Sequence, residues 1–153
     1  MFKRILMAYN GSRDGKSAIL ACRELAAFTK ADTHLLAVAT LSSSVFLAEG
    51  FHPDQLLEEE RARTQEVLDE GIDQLKERGF TVAGHLAVGD PVEEICRLAA
   101  DVKCDLIVVG HSKTQSFFGR WWQGSVGKYL IDHAPCSVLV VLTEEEPESR
   151  PKA

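Results

Sequence analysis

Short, almost unbroken apolar runs recur along this chain at intervals wide enough for a helix, and that alternation restricts the fold more than any other feature. RILMAY (4–9), THLLAVAT (33–40), TVAGHLAVG (81–89), DLIVVG (105–110) and SVLVVL (137–142) read as strands. A run that is apolar on both of its alternating faces must be covered on both sides, as in a parallel sheet flanked by helices. Parallel neighbours need a crossover, and the segments between the runs supply helices for it. Ala18, Cys22, Leu25 and Ala26 fall on one stripe, predicting a helix over 13–29 behind a turn at Asn10-Gly11-Ser12, with Ser12 as its cap. Residues 41–52 show no period and read as a loop. Pro53 then opens a long polar helix ending at Gly79, with Leu57, Leu68, Ile72 and Leu75 as its narrow apolar stripe and Glu59–Arg63 as an i,i+4 pair. Asp90-Pro91 starts a further helix with Ile95, Leu98, Ala99 and Val102 inward, and SVGKYLIDHA (125–134) makes a short one stopped by Pro135. The expectation is an α/β fold: an open five-stranded parallel sheet with helices on both faces. It forms one domain over 1–143, followed by a charged, proline-containing tail (144–153) expected to be disordered.

Composition narrows the function classes. A chain of 153 residues buries a core without disulfides or metals. Its net charge is −6, with no basic cluster, so it lacks the positive footprint that nucleic acid or an anionic membrane requires. No apolar run reaches the length of a membrane span and MFKRILMAYN is too short and broken for a signal peptide, so a cytoplasmic protein is expected. Cys22, Cys96, Cys104 and Cys136 show no C-x-x-C spacing and are expected to be small buried hydrophobes. His34, His52, His85, His111 and His133 are scattered and show no metal-ligand spacing. A Ser–His hydrolase built on His111 and Ser112 lacks the strained nucleophile turn and oxyanion loop of that chemistry, so no catalytic set is expected.

Ligands of open α/β sheets bind beyond the carboxyl ends of the strands, where the strand order reverses. The turns AYNGS and VVGHS follow the first and fourth strands, and they face one crevice if those strands are neighbours. Gly124-Ser125-Val126 opens a helix whose free N–H groups and Ser125 hydroxyl suit a phosphate, although ordinary N-capping explains an isolated Gly-Ser. The long connection after Gly110 carries Phe117, Phe118, Trp121 and Trp122. Three readings fit these aromatics: packing on the domain or within a dimer, a surface for a protein partner, and a lid over a nucleotide. Arg120 between the pairs suits stacking or a phosphate contact.

The segments KRILMAYNGS…SAILACRELA, THLLAVA, VGDPVEEICRLA and CDLIVVGHS…GSVGKYLIDHAPCSVLVV together resemble the universal stress protein family, over nearly the whole chain outside 41–52 and the tail. The resemblance implies a Rossmann-like fold of the adenine nucleotide alpha hydrolase-like type. Members of that family that bind ATP carry G-x2-G-x9-G-[ST]. Gly110 matches the first glycine and Gly124-Ser125 the closing pair, but Lys113 holds the second glycine's place and the span is one residue longer than the motif. A lysine does not replace a glycine's close backbone approach, although its ammonium brings charge to the same phosphate. Asn10 stands where ATP-binding members usually have Asp, and its amide keeps a carbonyl acceptor. By resemblance, the main chain at Val38 meets the adenine edge and Ala8 lines the same pocket, although both also fit plain core roles, and Ser112, Lys113 and Val126 count among the nucleotide-binding residues. What is implied is an adenine nucleotide (ATP, ADP or AMP), with magnesium left open, in a regulatory stress-response role. A homodimer through the last strand (137–142) is implied too. The rival is an interaction module that binds no nucleotide and uses the aromatic 111–123 loop. A slow nucleotide hydrolase is the weaker third reading.

Overall fold

The computed structural model describes residues 2–9, 19–20, 22, 24–26, 30–40, 52–112 and 125–143. Five parallel strands, β1 (Arg4–Ala8), β2 (Asp32–Ala39), β3 (Val82–Val88), β4 (Leu106–Ser112) and β5 (Ser137–Thr143), form one sheet in the order β3-β2-β1-β4-β5. Helices span Pro53–Lys76, Pro91–Asp101 and Ser125–His133, and residues 19–20, 22 and 24–26 are helical. The expected α/β class and parallel sheet are what the chain adopts. The Ser12 cap, the rest of the 13–29 helix, the 41–51 part of the loop and the 144–153 tail lie outside the described residues.

The period-two pleat divides each strand between two cores. Ile5, Met7, Tyr9, Leu35 and Ala37 pack with Leu68 and Leu75 of the long helix and with Ile19, Cys22 and Ala26. Leu6, Ala8, Leu36, Ile107 and Val109 face the other way, onto Val92, Ile95 and Ala99, with Leu130 of the Ser125–His133 helix. Both faces of the central strands β1, β2 and β4 are therefore covered, as their unbroken apolar runs require, while edge strand β3 keeps Ala83, Gly84 and Val88 exposed. The start of β1 is fastened to β4 by Asp105, whose carboxylate accepts the N–H groups of Lys3 and Arg4 at 2.7 and 3.0 Å. Desolvation pushes that carboxyl up, but these N–H groups outweigh it and hold Asp105 below its ordinary value.

Local signals explain the helix ends. Asp90 Oδ1 accepts from the N–H groups of Val92 and Glu93, both at 3.0 Å, and Pro91 opens the first turn. Gly79 sits at φ +88° just past the long helix, where Phe80 N–H reaches back to Leu75 O at 3.1 Å. Three expectations need correcting. Arg63 pairs with Glu60 at 3.0 Å instead of with Glu59, because the i,i+3 carboxylate is as near on a helix surface as the i,i+4 one. The buried stripe of the long helix is Thr64, Leu68, Gly71 and Leu75, with Ile72 and Leu57 half-buried beside it. Thr64 is accommodated by donating its hydroxyl to Glu60 O at 2.7 Å. Lastly, Cys22 and Cys104 are buried as expected, but Cys96 and Cys136 are only half-buried.

His34 on β2 and His85 on β3 lie far apart in sequence, yet their rings meet, Nδ1 to Nε2 at 2.9 Å. One nitrogen must donate and the other accept, so the pair is satisfied with at least one ring neutral. Burial holds both imidazoles below their ordinary value. Asp32 opposes this at His34 while Arg4 adds to it, and at His85 the charge of His34 adds to it.

Two predictions follow from this packing. A Cβ at Gly71 falls 2.7 Å from the Tyr9 ring and from Leu35. Gly71→Ala is expected to lose about 1–2 kcal/mol in urea unfolding, the overpacking cost exceeding the gain of about 1 kcal/mol in helix propensity. Gly84→Ala, where the added methyl meets the flexible tip of Ile72, is expected to lose less. For the histidine pair, the folded pKa values lie below the unfolded one. Stability is therefore complete above about pH 6.5 and falls as the pH drops below it, because the unfolded chain then takes up more protons. Replacing both residues by Gln is expected to flatten the slope of unfolding free energy between pH 7 and 5.5, and an unchanged slope would assign that titration to other groups.

Candidate functional site

The sheet order decides where a crevice forms. From β1 the chain moves outward to β2 and then β3, returns past β1 to β4, and finishes on β5. The order reverses between β1 and β4, which pair through Ile5↔Leu106, Leu6↔Ile107 and Met7↔Val108. This is the adjacency that the turns AYNGS and VVGHS required. A reversal of this kind leaves an opening at the carboxyl ends of the two strands.

Several of the residues singled out in the sequence meet here. Ala8, 7% exposed, ends β1 and packs in one cluster with Leu36, Val109 and Leu130, with Val38 partly buried against it. Tyr9 N–H donates to Leu36 O at 2.9 Å, and Gly89 N–H to Ala39 O at 3.1 Å, so the ends of β1, β2 and β3 are held together beyond the strands. Gly110 is half-buried inside β4, opposite Val141 of β5. β4 does not stop there as expected. It runs on through His111 to Ser112, opposite Thr143, so the first glycine of the motif belongs to the sheet and not to the loop.

A helix does begin at Ser125. Leu130, five residues further on, packs into the same cluster as Ala8 and Val109. The first turn of this helix is thereby tied to the β1–β4 face within about 7.5 Å along its axis. Its leading N–H groups have no partner inside the helix. Ser112, Ser125 and Val126 are placed through their main chain only. Asn10, Lys113, Gly124, Arg120 and the aromatics Phe117, Phe118, Trp121 and Trp122 lie outside the described residues. Among the described residues no three His, Cys, Asp or Glu side chains are grouped to hold a metal ion. Nor is any described helix long and apolar enough to cross a membrane.

Sequence reasoning missed Tyr9, which it treated only as a strand end. Its main chain follows the carboxyl end of β1, but its ring turns into the opposite layer against Gly71. The residue is 1% exposed and its hydroxyl has no hydrogen-bond partner among the described residues. Burial, with a smaller contribution from the Glu70 carboxylate, pushes the phenol up to about 12. The available signal was a tyrosine closing an otherwise aliphatic run.

Comparison with known proteins gives a consistent result. The profile of the universal stress protein family matches residues 1–141. A Staphylococcus haemolyticus protein bearing the universal stress protein name is 33% identical over 150 residues, covering 96% of this chain and 88% of its own. A crystal structure of a universal stress protein in complex with cAMP superposes with a TM-score of 0.67 at 24% identity, covering 92% of this chain and 97% of its own. A universal stress protein family structure from Arabidopsis thaliana with AMP bound gives 0.66 at 19% identity, covering 97% and 95%. These two structures share the fold described above.

The unpartnered phenol makes a direct prediction. Tyr9→Phe keeps the ring in place and removes a buried hydroxyl that makes no hydrogen bond among the described residues, so stability is expected to rise by about 1 kcal/mol. A loss of that size in thermal or urea unfolding would show that the hydroxyl is satisfied in solution.

Proposed function

The chain belongs to the universal stress protein family, and from that premise we propose that it binds an adenine nucleotide in the crevice between the carboxyl ends of β1 and β4. The observation that carries the reading is the β1–β4 reversal, with a helix N-terminus tied to the same face through Leu130. Relatives of the same fold crystallised with cAMP and with AMP support it. In this reading Ala8 and Val38 form the apolar floor under the base, and the Val38 main chain meets the adenine edge. Asn10 hydrogen-bonds the base or ribose through its amide. The phosphates lie among Gly110, Ser112, Lys113, Gly124, Ser125 and Val126, drawn by main-chain N–H groups, the Ser125 hydroxyl and the Lys113 ammonium. Lys113 in place of a glycine matters least for AMP and most for ATP, whose longer chain needs the closest backbone approach. Any magnesium arrives with the nucleotide, held by phosphate oxygens and water.

The role is regulatory, and the cytoplasm is the compartment it assumes. Nucleotide occupancy sets how the 111–123 segment, with its four aromatics, is presented to other molecules. Dimerisation fits the same picture. β5 is an edge strand built from Val138, Leu139, Val140 and Val141, and pairing with a second copy covers an edge that would otherwise invite aggregation. Lys113 and the extra residue also favour the rival reading, in which the aromatics bind a partner and the glycines are remnants.

Calorimetry with ATP, ADP and AMP, with and without magnesium, separates these readings, together with analysis of nucleotide released when the purified protein is denatured. Saturable binding is expected, weakened at least tenfold by the double variant Gly124→Val/Ser125→Ala. Absence of both release and binding at millimolar nucleotide would leave the interaction module. Binding that the double variant does not alter would place the nucleotide elsewhere. Turnover proportional to enzyme and lost in the variant would make the protein a hydrolase.

A further inference from the structure

Away from the crevice, at the amino ends of the last two strands, two thiols meet. Cys104 lies two residues before β4 and Cys136 immediately before β5, and their sulfurs are 3.5 Å apart. Their closeness follows from the pairing of β4 with β5. Carrying the register Leu106↔Ser137 back one step sets Cys136 beside Asp105, next to Cys104. A disulfide requires the sulfurs at about 2.05 Å, a closure of about 1.5 Å that two side-chain rotations can share. Cys104 is buried and Cys136 half-buried, so an oxidant reaches the pair from the Cys136 side.

We propose that Cys104 and Cys136 are an oxidation site, a dithiol that a hydroperoxide converts to an intramolecular disulfide and a thiol reductant restores. The Cys136 thiolate attacks one oxygen of the peroxide. The S–O bond forms, the O–O bond breaks, and the departing oxygen leaves as an alcohol, or as water from hydrogen peroxide, after taking up a proton. The Cys104 sulfur then attacks the Cys136 sulfur. The S–S bond forms, the S–O bond breaks, and the hydroxide leaves as water with the Cys104 proton. Two thiols lose two electrons and the peroxide gains them.

The surroundings fit the order of attack. Burial holds both thiols above their ordinary value, Cys104 at about 12. At Cys136 that upward push is opposed by the S–H of Cys104 and the N–H of Ile107, and aided by the Asp105 carboxylate. Cys136 is therefore the better-supported thiolate and Cys104 the resolving partner. An apolar setting that penalises a thiolate does not penalise a neutral disulfide. The pair is accordingly slow to react but well suited to its product. The bond encloses residues 105–135, with the whole segment proposed to hold phosphate, yet it forms whether or not a nucleotide binds. The half-buried Cys96 is the competing thiol, near enough for the charge of Cys136 to raise its pKa.

The test treats the full chain with hydrogen peroxide, blocks the remaining thiols and maps the peptides by mass. The expected product is 2 Da lighter, with a Cys104–Cys136 linkage, unmodified Cys22 and Cys96, and reversal by dithiothreitol. Its melting temperature rises by about 5–10 °C through loop closure in the unfolded chain. Cys136→Ala is expected to abolish the species and the shift, whereas Cys96→Ala leaves both. A linkage to Cys96, a disulfide between chains, or sulfinic and sulfonic products without the lighter species would each overturn the proposal. Because the linkage is read on the unaltered protein, a variant that folds poorly does not weaken the result.

Discussion

Burial of β1 on both faces is the constraint on which the rest of the molecule depends. Ile5, Leu6 and Met7 are at most 1% exposed, and they point alternately into the two cores. Each such side chain contributes about 1.5–3 kcal/mol when fully removed from water. A strand this apolar must lie in the middle of the sheet, with a neighbour on each edge and helices above and below. Once β1 is central, one of its neighbours is reached directly and the other only after the chain has doubled back. The reversal between β1 and β4 is thus a by-product of hiding Ile5, Leu6, Met7 and Ala8 from water.

The two layers do different work. On the long-helix side, Gly71 lets the helix approach so closely that the Tyr9 ring and Leu35 fill the space a side chain would take. In that layer the tyrosine hydroxyl is packed without a hydrogen-bond partner among the described residues. On the other side, Ala8, Ala99 and Val109 pack with Leu6, Leu36 and Ile107, and Leu130 ties the Ser125–His133 helix to them. Ala8, Val38 and the Ser125–His133 helix of the candidate site belong to this second layer.

Much of this was legible in the sequence because it is local. Unbroken apolar runs identified the strands, and Asp90-Pro91 and Gly79 marked helix ends through their own backbone chemistry. What escaped depends on neighbours that sequence spacing does not reveal. The buried stripe of the long helix contains Thr64 and Gly71, neither of which carries an apolar signal. His34 and His85 meet only because β2 and β3 pair, and Cys104 and Cys136 only because β4 and β5 do. The candidate site was legible in part for the same reason. Its glycines and serine have recognisable spacing, but the adjacency of β1 and β4 is a property of the whole sheet.

The continuation of β4 to Ser112 bears on how such a crevice diversifies. Gly110, His111 and Ser112 are each in register with β5, so the strand's last residues are locked before the connection to Gly124 begins. The residue by which this chain exceeds the nucleotide motif therefore falls in 113–124, where it cannot slip the sheet by one and invert its faces. Closing a longer connection between fixed ends costs little, about 0.6 kcal/mol for each doubling. The length and chemistry of this segment can thus change while the register of β4 against β5 stays fixed.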